Sequence, residues 1–496
     1  MPTPLTTRQQ VNGYRFLLRR LEHALMRRDV RMLHDPMRSQ FRAATVGIVL
    51  ALLVTGGFAV YGFIKPVGSV GDSKIIASKE SGGLFVVIDD VLHPVLNLAS
   101  ARLITGEAAK PTSVAESKLA NYRRGPLVGI PGAPQNLPGS ADTDHAWWSV
   151  CDTVVAPGGA AALDSGVITS VVGARPQTDA DIRALSPSEG LLVSASGTRY
   201  LLADGRRFRV ADDDDAVTTA FSLNGVRPRP VSVGMLNAFP EGPDLATPTI
   251  PGRGRQSGTK LGAVGSVIEV PGVAGSASSF YVVLADSIQK VDRAAADVVR
   301  FSDRASGGEV SEVGPASITG VTEGTTLPLD GFPATAPTVV SDADAPVGCL
   351  AWDRPVDGTE ATLRILAGRR LPVPEDARPV QLASADGPGS GLDAVYIPPS
   401  TGDYVVTTGA DPDSPRRESL VYVNDSGVRF GIADAATGTA LGLGDTPAPA
   451  PWPIVELLAP GPALSARDAL VERDSIGLSD GGVPIAPAST GVSAGG

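Results

Sequence analysis

The chain has 496 residues, more than one hydrophobic core usually serves, so about three folded units are expected. Gly 57 and Pro 42 are abundant yet short of low-complexity composition, and 43% hydrophobic residues can bury sizeable cores. A net charge of −11 excludes a whole-chain nucleic-acid binder, and 5% aromatics is thin for a protein that stacks bases or sugars on ring platforms.

The first 42 residues invert the overall sign. They hold Arg8, Arg15, Arg19, Arg20, Arg27, Arg28, Arg31, Arg38 and Arg42 against Glu22, Asp29 and Asp35, and no Lys. Thr7-x-x-Gln10 forms a capping-box signature, and Val11, Tyr14, Leu18, Leu21 and Leu25 follow the i, i+3, i+4 spacing of one apolar helix stripe. Arg15, Arg19, Arg27 and Arg28 lie off that stripe; Gly13 weakens the helix slightly. Such a helix cannot bury its stripe alone. Arg15, Leu18, Arg19, Leu21 and Leu25 are expected to meet either a cytoplasmic partner or the inner leaflet.

From Ala43 to Ile64 the chain carries no charge. At 1.5 Å per residue this run reaches across a hydrocarbon layer of about 30 Å. The arginine-rich side is expected in the cytoplasm, because Lys65, Lys74 and Lys79 on the far side are offset by Asp72 and Glu80. A cleaved signal peptide would have a shorter apolar run nearer the start. No later stretch is comparable, so a single-pass protein is expected, with most of the chain outside. Gly47, Ala51, Thr55 and Ala59 recur every four residues, which puts small side chains on one helix face where another helix can approach. The alternative is a helix that faces only lipid.

Cys151 and Cys349 are the two cysteines, both beyond the span. Thiols on the oxidising side of a membrane are expected to pair, two buried free thiols being the alternative. Trp148-Ser-Val-Cys151-Asp and Cys349-Leu-Ala-Trp352-Asp read as neighbouring strands. This spacing does not supply a zinc site.

Four segments share a rhythm of apolar strand, acidic turn, short strand and helix-like stretch. Their turns centre on Asp89, Asp204, Asp286 and Asp425. Asp and Gly tolerate the positive φ of tight hairpins, so each segment predicts a hairpin followed by a helix. The irregular spacing excludes a continuous solenoid. The expected fold is therefore a single-pass membrane protein with an α/β exported region: four hairpin-plus-helix repeats around a central β-rich domain closed by one disulfide. The expected divisions are a basic helix (1–42), the span (43–64), repeats at 65–138, 200–256, 280–340 and 399–475, and central pieces at 139–199, 257–279 and 341–398. The Gly/Pro/Ser/Ala-rich tail, 476–496, is expected to be disordered.

Several stretches resemble the EccB family, membrane core components of actinobacterial type VII (ESX) secretion systems. They are Thr6-Thr-Arg-Gln-Gln-Val-Asn-Gly-Tyr-Arg-Phe-Leu-Leu-Arg-Arg-Leu21, Asp29-Val-Arg-Met-Leu-His-Asp-Pro36, Leu92-His-Pro-Val-Leu-Asn-Leu-Ala-Ser-Ala-Arg-Leu103, Gly129-Ile-Pro-Gly-Ala-Pro134 and Trp148-Ser-Val-Cys151-Asp. The resemblance runs along the chain up to the tail. It implies a structural subunit that assembles with EccC, EccD and EccE type subunits, in some systems with a mycosin protease, and whose exported regions associate with one another. It also implies repeats resembling cell-wall-binding modules, hence a contact with peptidoglycan.

The same family often bears an ATPase label. A phosphate loop needs Gly-x-x-x-x-Gly-Lys-[Ser/Thr]. The nearest approach, Gly252 to Lys260, has the wrong spacing and reverses Thr259 and Lys260. Asp212–Asp215 reads as a solvated turn, and His23, His34, His93 and His145 are scattered. No nucleophile elbow, cofactor motif or metal-ligand set stands out. Trp147, Trp148 and Trp452 could touch glycans. A structural membrane-complex subunit is thus the leading reading, with an ATPase and a peptidoglycan-binding anchor as alternatives.

Overall fold

The structure, a computed structural model, describes residues 7–28, 30–31, 36–64, 73–155, 166–272, 276–303 and 309–476. The expected disordered tail lies outside these residues except for Ile476, as does His34.

Helix α1 spans Arg8–Arg27, and its start forms as the sequence predicts. The Thr7 N–H donates to Gln10 Oε1 at 3.0 Å, and the Thr7 side chain caps the third residue. Arg28 closes it in the left-handed region at φ 56°. Helix α2 spans Pro36–Ile64, longer than the apolar run because the helix begins at Pro36, a residue favoured in a first turn.

The rest of the described chain builds five sheets. Four of them share one connectivity. A first strand (Ile75–Ser78, Glu189–Ala195, Val267–Val270 or Gly402–Thr408) pairs antiparallel with a second (Leu84–Ile88, Thr198–Ala203, Ser279–Val283 or Leu420–Asn424). The second pairs antiparallel with a third (Val91–Val95, Arg206–Arg209, Ile288–Val291 or Val428–Ile432). A helix follows (Leu98–Thr105, Asp215–Ala220, Arg293–Phe301 or Ala435–Leu441). The chain then returns as a short strand parallel to the first (Thr112–Val114, Arg229–Pro230, Ser311–Glu312 or Ala448–Pro451). A parallel return cannot be made by a tight turn, which is why a helix occupies the crossover.

The acidic turns sit between second and third strands. Asp89 and Asp90 have φ 48° and 62°, and Asp204 and Gly205 have φ 51° and 70°. Two successive positive φ values suit the twist of the flanking strands, and Asp and Gly tolerate them best.

The fifth, central sheet has seven strands in the order Val380–Gln381, Leu392–Tyr396, Val167–Val172, His145–Val154, Val347–Pro355, Thr362–Gly368, Ile182–Ala184. Two stretches supply it, 145–184 and 347–396, rather than three. Val267–Val270, expected in a central piece at 257–279, pairs instead with Ser279–Val283 in the third peripheral sheet. Glu189–Ala195, expected in the piece 139–199, pairs with Thr198–Ala203 in the second. The expected second and third units, 200–256 and 280–340, begin at the strand that runs into the acidic turn and omit the strand before it, whereas 65–138 and 399–475 include theirs. The omitted strands, Glu189–Ala195 and Val267–Val270, are mostly apolar and carry no turn signal of their own. Thr338–Val339, placed in the third unit by sequence, pairs with Glu189–Gly190 of the second sheet.

Packing joins the sheets in pairs. Ala99, Leu103 and Ile130 of the first bury against Tyr404, Tyr422, Phe430 and Leu441 of the fourth. Leu201, Phe208 and Phe221 of the second bury against Val282, Val298 and Val299 of the third. In both pairs the crossover helices touch each other. The largest cluster unites Trp148, Val150, Leu350 and Trp352 of the central sheet with Leu191, Val193 and Met235 of the second unit and Val405, Val421 and Ile454 of the fourth. Finally, Glu472–Arg473 pairs antiparallel with Leu127–Val128, so the end of the fourth unit fastens to the first sheet.

Candidate functional site: the braced central sheet and the membrane helices

Cys151 and Cys349 face each other across the central pair of strands, Cα atoms 4.0 Å apart, and form a disulfide 198 residues apart in sequence. That close spacing belongs to the non-hydrogen-bonded kind of antiparallel pair, where side chains meet most directly. Trp148 and Trp352 are opposite each other on the same two strands. Strand side chains alternate, so the cystine packs with Ile182, Val347 and Leu366 on one face while both tryptophans fill the large core on the other. Trp148 is therefore buried and cannot stack on a glycan.

A buried polar cluster beside the disulfide had no clear signal in the sequence. Asp152 is 2% exposed. It accepts hydrogen bonds from Ser232 N–H (2.5 Å), Ser232 O–H (3.0 Å) and Thr169 O–H (2.8 Å). Ser232 also caps the Val233–Ala238 helix, so this carboxylate ties the central sheet to the second unit. Asp393, equally buried, accepts from Thr169 N–H and Gly387 N–H, both at 2.9 Å. Burial pushes the Asp152 carboxyl up to about 6, with the charge of Asp393 adding to it, against the hydrogen bonds from Ser232 and Thr169.

This shift has a sign. Between about pH 4 and 6 the folded state holds a proton that the unfolded state has released, so stability falls as pH rises through that window. The full penalty, on the order of 3 kcal/mol, stands above pH 6 and is relieved on acidification. Asp152→Asn keeps an acceptor for the Ser232 N–H and removes the charge. We expect the wild type to gain stability relative to Asp152→Asn between pH 7 and pH 5 in denaturant titrations. Parallel pH curves would refute the assignment.

The residues selected from the sequence for packing or docking fall on helices α1 and α2. Gln40–Tyr61 of α2 has mean hydropathy 2.2 and none of it is buried by the rest of the chain. Gly47, Ala51, Thr55 and Ala59 share one face, and the Thr55 hydroxyl donates to the Ala51 carbonyl at 2.5 Å, which satisfies it without water. On α1, Leu18, Leu21 and Leu25 are exposed together with Arg15 and Arg19.

The remaining candidates resolve into structure. In the Gly252–Lys260 loop the N–H groups of Arg253, Gly254, Arg255, Gly258 and Lys260 donate to carbonyls of Ile250, Val264, Gly252, Ala285 and Ser257. A phosphate cradle needs such groups free and a helix following, whereas here the strand Val267–Val270 follows. Asp214 caps the Asp215–Ala220 helix and accepts from Thr247 N–H and O–H. Burial opposes its ionisation, but these bonds outweigh burial and hold it below the usual value. Asp212 pairs with Arg199 at 2.8 Å. His93 is buried, its Nδ1 3.1 Å from the Pro126 carbonyl. Trp452 carries the Arg429 guanidinium over its ring.

Among the described residues, these features define a protein with one helix long and apolar enough to cross a membrane and a disulfide-braced α/β body. A family model described as type VII secretion system ESX-1, transport TM domain B, matches residues 3–478. The ESX-3 secretion system ATPase EccB3 of Mycolicibacterium smegmatis is 37% identical over 484 residues, covering 95% of this chain and 91% of the relative. The ESX-2 secretion system ATPase EccB2 of Mycobacterium tuberculosis is 38% identical over 486 residues, covering 96% and 97%. Among solved structures, a chain of an intact ESX-5 inner membrane complex matches with TM-score 0.72 at 33% identity, covering 98% of this chain and 99% of that one. An EccB3 dimer from the ESX-3 core complex matches with TM-score 0.69 at 35% identity, covering 80% and 100%. The chain belongs to the EccB family of type VII secretion membrane proteins.

Proposed function

We propose that this chain is a structural core subunit of a type VII secretion membrane complex, anchored in the inner membrane by α2 and supporting protein export through its body on the extracytoplasmic side. The observation that carries this is the combination of likeness along 98% of the chain to a subunit of an ESX-5 inner membrane complex with two helices whose apolar surfaces are exposed among the described residues. The arginine excess before α2 supports a cytoplasmic N-terminus. On this reading α1 docks through Arg15, Leu18, Arg19, Leu21 and Leu25 on a cytoplasmic partner. The Gly47, Ala51, Thr55 and Ala59 face receives a neighbouring transmembrane helix. The partners are EccC, EccD and EccE type subunits, a mycosin protease in some assemblies, and a second copy of the body; the EccB3 dimer supports the last.

The four peripheral units are, on this proposal, copies of one module. What supports this is their shared strand order, with the parallel return strand in the same place each time. The boundaries that fit the pairing begin each module two strands before its acidic turn and leave 145–184 and 347–396 to the central domain. Cys151 and Cys349 join those two stretches into one rigid mount for the modules.

Depleting the chain tests the function. Export through its own secretion system should stop, and the remaining membrane subunits should run as smaller particles on native gels. Full-size particles and undiminished export without it would overturn the reading.

A further inference from the structure

A pocket of about 280 Å³ opens where three parts of the chain meet. The central sheet contributes His145, Trp147 and Tyr396, the loop after Val167–Val172 contributes Arg175, the fourth unit contributes Asp403, and the segment leading out of the first contributes Asp142. Junctions of this kind are where ligand pockets concentrate, but this volume is below the roughly 300–1,000 Å³ of drug-sized sites. It suits one side chain rather than a polymer.

Its chemistry is unbalanced. The Asp142 carboxylate accepts from Asp144 N–H (2.9 Å), His145 N–H (3.0 Å) and Trp147 Nε1–H (2.8 Å). Burial opposes its charge, but those bonds, Trp147's first, outweigh burial and keep it ionised. Asp403 is pushed the other way, by burial and by the charge of Asp142, with only the Ser140 hydroxyl opposing. Among the described residues neither carboxylate forms an ion pair with Lys or Arg. Arg175, the cation on the rim, is held 5.5 Å over the Trp147 ring instead. Trp147 is also stacked on His145, ring centroids 5.4 Å apart, so it offers little bare face for a sugar.

We propose that this pocket receives a Lys or Arg side chain presented by another protein, its ammonium or guanidinium seated between Asp142 and Asp403 against the Tyr396 side of the cavity. His145 adds some attraction at Asp142, but no described Lys or Arg pairs with either carboxylate, so a cation there would supply that charge where both are already partly stripped of water. A second hollow shares Pro374 and Tyr396 with the first and is lined by Asp376 and Asp425 against the single cation Arg378, which gives the chain flanking that side chain a net acidic path. That the donor is a neighbouring subunit rests on the assembly reading above; binding of a basic group does not.

The test uses the full chain in detergent and N-acetyl-arginine amide as the probe, followed by tryptophan fluorescence. Saturable quenching is expected, absent in Trp147→Phe and weakened at least tenfold in Asp403→Asn. Because burial already disfavours the Asp403 charge, Asp403→Asn should melt no lower than wild type, which separates lost binding from lost folding. No saturation, equal binding by Asp403→Asn, or preference for an N-acetylglucosamine tetrasaccharide over the arginine probe would each overturn the proposal. Loss of the secretion assembly reading would leave this binding result unchanged.

Discussion

Cys151→Ser is expected to lower the stability of the folded body by several kcal/mol. The bridge closes a loop between residues 198 apart, for which chain entropy alone allows on the order of 5 kcal/mol, an upper figure. The loop contains both inner modules, so in the unfolded chain it restrains nearly half of the protein. Both thiol positions are fully buried beside Ile182, Val347 and Leu366, and one oxygen of Ser plus one unpaired thiol would be left there without a partner. Cys349→Ser should cost about the same, and the double variant little more, because either substitution removes the same bond. Equilibrium denaturation of the oxidised proteins measures this. Superimposable curves for wild type and Cys151→Ser would show that the strand pairing alone carries the brace.

Deleting residues 1–31 is expected to abolish assembly while leaving the folded body's melting transition where it was. The stripe of α1 is exposed along its length: Tyr14 is 65%, Leu21 62% and Leu25 74% accessible. Burying such side chains fully is worth roughly 1.5–3 kcal/mol each, enough in sum to decide whether a partner stays bound. The capping box and the left-handed close at Arg28 show that the helix is specified by its own residues. The substitution set Leu18→Ser, Leu21→Ser and Leu25→Ser should reproduce the deletion, whereas replacing Arg15 and Arg19 by Gln separates a polar contact from a lipid-surface role. If the deleted protein still migrates in full-size complexes, α1 is not a docking element.

Some of this was legible because single residues carry strong local rules. Thr7 and Gln10 fixed the start of α1, and the uncharged run fixed α2. Asp89 and Asp204 announced hairpins because few residues accept a positive φ there. Cys151 and Cys349 announced their pairing through symmetric surroundings as well as through topology. What escaped were features set by long-range pairing. Val267–Val270 is apolar and short, and only its partner Ser279–Val283 places it in the third sheet. Asp152 looks like any strand-end acid until Ser232, 80 residues on, brings a helix N-terminus to it. The pairing of the first unit with the fourth was invisible for the same reason. Tyr422 and Leu103 meet only after the whole body has closed, and Glu472–Arg473 then seals it against Leu127–Val128.

The central claim is that this protein acts by holding other chains together. The mass of the native particle extracted in mild detergent, with identification of the chains that co-purify, tests it most directly. The account predicts a particle many times the 50.8 kDa of one chain, containing more than one copy and other secretion subunits. A particle of one chain alone, from cells in which the secretion system is running, would contradict it.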